Sequence, residues 1–221
     1  MSNSYAELIL VRHGETTWNA SGRLQGQAES ELNETGKRQA QVVAERLAKD
    51  QPHIYAVYSS DLKRAYDTAK MIAEKLSCSK VETYEGLRER HLGNLQGFTS
   101  SEARSRDPKA YKAFVSSWEE EPIPGGGESL AELYARTKAT LEEIAQENQG
   151  RKVVIVTHGG LLRAVHILAK GLPCGEIHNA SINVISISDE NDWAVRSWGD
   201  IKHLKKVGHL GSGFGGDKES G

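Results

Sequence analysis

The sequence predicts an α/β protein: a three-layer α/β/α sandwich with a mostly parallel central sheet and one antiparallel edge strand. Three observations carry this. Short, near-continuous apolar runs such as "LILV" and "VVIV" read as strands buried on both faces. Amphipathic stretches of helical period alternate with them, as βα units require. Two β-rich segments, "SINVISIS" and "DWAVRSW", close the pattern as an antiparallel pair.

Taken in order, Glu7 to Val11 is the first buried strand. "LNETGKRQAQVVAERLAKD" follows a polar loop and carries Ala40, Val43, Ala44 and Leu47 at helical spacing. "IYAVYSS" is the next strand, and "DLKRAYDTAKMIAEKL" the helix after it, with Leu62, Ala65, Ala69, Ile72 and Leu76 on one stripe and Ser60 or Asp61 placed to cap its first turn. A short strand is expected at Lys80 to Tyr84. Gly86 to Pro124 weakens into short helices or loops, and "PIPGGGE" is a break. "SLAELYARTKATLEEIAQEN" is a long amphipathic helix, with Ser129 or Glu128 near its cap and Leu130, Leu133, Leu141 and Ile144 inside. "RKVVIVTHGG" is the second strong strand, and the helix "LLRAVHILAKG" ends at Gly171 and Pro173. Residues 1–207 are expected to form one domain, followed by a flexible Gly-rich tail over 208–221.

Composition narrows the function. Of 221 residues 38% are hydrophobic and 26% charged, and no run of 18 or more apolar residues offers a membrane span. The 28 Lys and Arg are interleaved with 30 Asp and Glu, so no basic stripe marks a nucleic-acid partner. Cys78 and Cys174 lack a partner histidine at ligand spacing and read as reduced, buried thiols, and no metal site is expected. "MSNSYAE" resembles neither a signal nor a transit peptide, which makes the cytosol the expected compartment. "GSGFGG" fits G-x-G-x-x-G but follows no strand and opens no helix, and "EEEP" at Glu119 to Pro122 reads as a solvated loop.

Two strands end alike, "LILVRHG" and "VVIVTHG". Ligands of open α/β sheets bind beyond the carboxyl ends of strands, so His13 and His158 are expected to face each other there. Arg64 begins a helix after a third strand, where free N–H groups and the helix dipole suit a phosphate. With Arg12 these residues make a compact cationic pocket able to neutralise a phosphoryl group without metal. An unprotonated imidazole is a competent nucleophile toward phosphorus. A leaving alkoxide needs a proton, and "GLRERHLGNLQG" offers Glu85 and Glu89 on a Gly-flanked loop. Among the other histidines, His91 rides in that loop and packs or faces water, while His178 in "IHNAS" lies near the edge of the expected site.

With these residues in order, the chain resembles the histidine phosphatase superfamily, the phosphoglycerate mutase-like proteins, over roughly Leu8 to Trp198. "VRHGETTWN" looks like its nucleophile motif, "SSDLKRAYDTA" its second-arginine motif, "LRERHLGNLQG" its acid loop and "VTHGG" its second-histidine motif. The resemblance implies a histidine acid-type phosphatase with no cofactor: His13 is phosphorylated, Arg12, Arg64 and His158 bind the phosphoryl group, and Glu89 is general acid and later base. It implies substrate contacts at Asn19, Gln25, Gly26 and Gly159, with Thr16 a further candidate.

The family divides by the fate of the phosphohistidine: a mutase returns the phosphoryl group to a sugar acid, a phosphatase gives it to water. Leu92 stands where the mutase loop has tyrosine and Ser100 where it has lysine. The insert "KAFVSSWEEEPIPGGGES" lacks the mutase arginine pair, and Gly159-Gly160 replaces Gly-Asn. Losing charge-assisted hydrogen bonds worth roughly 1.5 to 3 kcal/mol each would weaken a bisphosphorylated ligand by orders of magnitude. The expected reaction is therefore metal-independent hydrolysis of a small phosphorylated metabolite, with a phosphomonoester as the partner molecule. The alternatives are a cofactor-dependent phosphoglycerate mutase and a non-catalytic binding module of the same fold; a homo-oligomer is possible. The loops over residues 27–31 and 90–127 are expected to set the substrate.

Overall fold

A computed structural model describes residues 5–51, 53–78 and 80–210. The run "GSGFGG" and most of the expected tail lie outside these residues. Six strands form one sheet in the order β3-β2-β4-β1-β5-β6. They are β1 Tyr5–Arg12, β2 Ile54–Ser59, β3 Val81–Thr83, β4 Lys152–Thr157, β5 Ile182–Ser188 and β6 Trp193–Asp200. The four strands from β3 to β1 are mutually parallel, while β5 runs against β1 and β6 runs against β5. The antiparallel edge is thus a two-stranded one, with β5 as the reversed strand and β6 outermost.

Because β1 and β4 are buried on both faces, their side chains feed two cores, as alternation along a strand dictates. Leu8, Leu10, Val153 and Ile155 point to one face. They meet Leu141 and Ile144 of α6 (Leu130–Glu147) and Leu161, Leu162 and Val165 of α7 (Gly159–Lys170). Ile9, Val11, Val154 and Val156 point to the other, against Val43, Ala44 and Leu47 of α2 (Glu34–Asp50) and Ala65, Ala69 and Ile72 of α3 (Lys63–Lys75). The expected stripes are the buried ones except at Leu76 and Leu130, which are only partly buried.

Most helix starts follow local chemistry, while α3 and α7 begin after Leu62 and His158 without a side-chain cap. Ser129 caps α6 in a reciprocal capping box with Glu132, and Asn33 caps α2 by accepting from the Gly36 N–H at 2.8 Å. At α3 neither Ser60 nor Asp61 is the cap: the cap position is Leu62, with no side-chain bond of its own. Asp61 is drawn away into an ion pair with Arg88, and the Lys63 N–H donates instead to the Glu29 carboxylate at 3.2 Å. Between β3 and α6 the weakly patterned stretch folds into single 3-10 turns and two short helices, α4 (Ser100–Arg106) and α5 (Pro108–Phe114). Leu24, Leu92, Leu95, Ala103, Ala110, Phe114 and Ile123 pack there into a third apolar cluster. Among the described residues no helix is long and apolar enough to cross a membrane.

The loop after β1 lies directly on the start of α2. A methyl group on Gly36 would overlap the Glu15 carbonyl, and one on Gly14 would stand 2.5 Å from the Gly36 oxygen. Gly36→Ala is therefore expected to cost about 1–3 kcal/mol of stability by overpacking, read as an earlier urea midpoint at unchanged m-value. A midpoint equal to that of the parent protein would show that this backbone contact is not as tight as described.

Candidate active site

Arg12 is the last residue of β1, and the β1–β4 register pairs it with Thr157. The next residue on each strand is a histidine. His13 donates its backbone N–H to the Thr157 carbonyl at 2.9 Å, which sets the two imidazoles side by side, ring centres 5.2 Å apart. Both rings are buried. His13 Nδ1 lies 2.7 Å from the Gly14 carbonyl. A carbonyl only accepts, so Nδ1 carries the proton and Nε2 keeps its lone pair. Burial and the charges of Arg64 and Arg12 hold His13 well below the ordinary histidine pKa. Burial, Arg64 and His13 do the same for His158. Neutral imidazole is the nucleophilic form.

Arg64 arrives from the first turn of α3 and is almost fully buried. Its Nη1 and Nη2 donate to the Ala28 and Gly26 carbonyls at 3.0 and 2.7 Å, while Nε has no protein partner. Burial lowers its pKa to about 10, which leaves it charged at neutral pH. Arg12 donates to the Ile177 carbonyl at 2.5 Å. Neither ring nitrogen of His158 has a protein partner. Buried polar atoms are nearly always satisfied; Arg64 stands in the wall of a cavity, whereas His158 is fully buried beside His13 and lies outside the lining of that cavity.

Arg12, His13, Arg64 and Glu89 line one cavity of about 290 Å³. Glu89 enters from the loop before the Gly93–Leu95 turn, its two oxygens accepting the Arg90 and Gly160 N–H groups at 2.8 and 3.0 Å. The last of these is close because residue 160 is glycine; a side chain there would collide with the Glu89 carboxylate. Glu85 is 80% exposed and paired with Arg88, away from the cavity, so of the two loop glutamates Glu89 is the one that the fold delivers.

The model of the histidine phosphatase superfamily (branch 1) matches residues 8–201. The chain belongs to this superfamily. It is 49% identical to a metal-independent phosphoserine phosphatase of Arabidopsis thaliana over 98% of this chain and 91% of that one. It is equally similar, at 49%, to phosphoglycerate mutase-like protein 4 of the same plant, over 98% and 95% of the two chains. Among solved structures, a mycobacterial glucosyl-3-phosphoglycerate phosphatase superposes with a TM-score of 0.74 at 34% identity, covering 88% of this chain and 99% of that one.

Within this histidine phosphatase fold the other expected residues separate. Asn19, Gln25 and Gly26 line the cavity. Thr16 does not: it is the cap of α1 (Thr17–Ala20), and its hydroxyl bonds the side-chain oxygens of Asn19 and Gln25 at 3.0 and 3.1 Å. It therefore orients two lining residues without reaching the cavity. Gly159 backs onto the Arg12 guanidinium, and Gly160 takes the lining place expected of it, because the helix turns between them. His91 accepts from the Gly93 N–H at 3.1 Å and lies outside the lining. So does His178, whose neighbours do the contacting: the Ile177 carbonyl holds Arg12, and Asn179 Nδ2 donates to the His13 carbonyl at 3.0 Å.

Sequence reading missed three arginines, Arg23, Arg90 and Arg163, that line the same cavity, with Tyr134. A signal existed for some of these. Gly160, Arg163, Ala164 and Ile167 recur at helical spacing on one face of α7, as do Leu130, Leu133 and Tyr134 on α6. Leu92 sits in the lining as an apolar wall, whereas Ser100 opens α4 outside it. The insert contributes Phe114 to Ser117, and of its three consecutive glutamates only Glu119 lines the cavity.

In ¹⁵N-resolved imidazole spectra at pH 6, His13 is expected in the neutral form protonated on Nδ1, since its pKa lies below the ordinary range. An imidazolium signal for His13 at that pH would contradict the geometry.

Proposed function

We propose that the chain is a metal-independent phosphomonoester hydrolase working through a phosphohistidine at His13. The observation that carries this reading is the buried, neutral, Nδ1-tethered His13 beside two permanently charged arginines in one cavity. Nε2 attacks phosphorus in line with the ester oxygen, the P–O bond breaks, and protonated Glu89 gives its proton to the departing alkoxide. Arg12 and Arg64 neutralise the charge on the equatorial oxygens, which is the main demand of phosphoryl transfer. Glu89, now a carboxylate, takes a proton from water as that water attacks phosphorus and Nε2 leaves. Inorganic phosphate is released and the starting protonation state returns.

The substrate class follows from charge beyond the phosphoryl site. Arg90 is almost fully buried, with Nε held by the Glu128 carbonyl at 2.9 Å, leaving its Nη groups for the cavity it lines. A second anionic group on the substrate fits there. The relatives named for phosphoserine and for glucosyl-3-phosphoglycerate both act on phosphate-bearing carboxylates, and phosphoserine is the first substrate to test. The arginines missing from the insert are thus offset in part by Arg90, whereas Arg23, also in the lining, is paired with Glu102.

Incubation with phosphoserine, with or without chelator, is expected to release inorganic phosphate equally; His13→Ala releases none. Arg90→Gln should raise KM for phosphoserine roughly 10- to 100-fold, the equivalent of one charge-assisted hydrogen bond, and leave phosphoethanolamine, which lacks the carboxylate, nearly unchanged. Rapid isomerisation of 3-phosphoglycerate in the presence of a bisphosphoglycerate primer, with little phosphate, would establish a mutase instead.

A further inference from the structure

Glu89 stands on a loop, and proton transfer needs its carboxyl held to a fraction of an ångström. Its two oxygens have one N–H each, but the loop itself is fastened from behind by a residue that does not line the cavity. Arg136 lies on α6 with its guanidinium under the acid loop. Nη1 donates to the carbonyls of Gly86 and Arg88 at 2.9 and 2.8 Å. Nη2 donates to the Glu89 carbonyl and to Glu128 Oε2, both at 2.9 Å. Nε donates to Glu128 Oε1. A guanidinium has five N–H donors, and here every one is used.

Three of the five go to main-chain carbonyls within four residues of one loop, ending on Glu89 itself. Glu128 continues the fastening: its Oε2 accepts the His91 N–H at 3.0 Å, its N–H donates to the His91 carbonyl at 2.8 Å, and its carbonyl accepts Arg90 Nε at 2.9 Å. Residues 86–91 are thereby tied at successive points to a rigid helix.

We infer that Arg136, braced by Glu128, is the positioning residue of the proton-transferring carboxyl: it touches no substrate and acts through Glu89. The inference rests on the reading of Glu89 as general acid. Lysine carries three donors on one nitrogen and cannot span three carbonyls and a carboxylate, so Arg136→Lys keeps the charge and loses the geometry.

The test is the rate at which His13 becomes phosphorylated, measured by rapid quench with two esters. Phosphoserine expels an alkoxide that needs a proton; p-nitrophenyl phosphate expels a phenolate that does not. Arg136→Lys, and the charge-neutral pair Arg136→Met with Glu128→Gln should one variant fold poorly, are expected to slow the phosphoserine reaction about 10- to 100-fold. Slowing with the nitrophenyl ester is expected to stay within about threefold, and Glu89→Gln combined with Arg136→Lys should be no slower than Glu89→Gln alone. Equal slowing with both esters, or losses that multiply in the combined variant, would overturn the positioning role. A slow Glu89→Gln beside an Arg136→Lys at parental rate would overturn it while sparing the acid assignment. Glu89→Gln at parental rate with phosphoserine would overturn the acid assignment and this inference with it.

Discussion

The site depends on one constraint, the parallel register of β1 against β4. Pairing Arg12 with Thr157 makes the following residues, His13 and His158, adjacent at the same level of the sheet. A slip of one residue would turn each side chain to the opposite core. Both strands are apolar on both faces, so it is the shape of two close-packed cores, not polarity, that opposes the exchange. The next strand outward extends the same logic. Ser59 of β2 pairs with Val156, Ser60 donates to the Val156 carbonyl at 3.0 Å, and the chain turns into α3 with Arg64 in its first turn. Strands β2 and β1 thus deliver Arg64 and His13 to one crevice at their carboxyl ends, where open α/β sheets place their ligands, and β4 sets His158 directly beside His13.

That crevice is electrostatically lopsided. Arg12 and Arg64 are buried and charged, and the two imidazoles are kept neutral by the same burial and by those charges. Burying cations is costly unless acceptors and counter-charges surround them, and the Glu89 and Glu29 carboxylates act on Arg64 in that way. The surrounding carbonyls of Gly26, Ala28 and Ile177 stabilise the guanidinium groups and fix their direction. In the proposed reaction a phosphoryl dianion completes the arrangement, and burial together with the same charges that would bind it keeps His13 neutral. Thr68 ties the parts together: its hydroxyl accepts from the Gly14 N–H at 3.1 Å and donates to the Arg64 carbonyl at 2.8 Å.

Much of this was legible in the sequence because it is local. The apolar runs gave β1 and β4, helical spacing gave α2, α3, α6 and α7, and each strand announced its histidine at its end. The glycine break placed the start of α6 at Ser129 or Glu128, and Ser129 is its cap, with Glu132 completing the capping box. What was not legible depends on contacts between distant segments. Asp61 could have capped α3, but Arg88, twenty-seven residues on, pairs with it and Glu29 takes its place. Thr16 offered a hydroxyl to a ligand, yet Asn19 and Gln25 claim it. Whether Gly159 or Gly160 meets the cavity turns on a single step of helix rotation. Arg23, Arg90 and Arg163 enter the lining from three separate elements, so no motif joins them.

The most direct measurement of the account is the identity of the phosphorylated residue. Protein mixed with phosphoserine, quenched at alkaline pH within the first turnover and digested for mass spectrometry should carry an acid-labile phosphoryl group on His13, with the fraction labelled increased in Glu89→Gln when phosphate release is slowed more than transfer. A phosphoryl group on any other residue, or turnover with His13 never labelled, would contradict it.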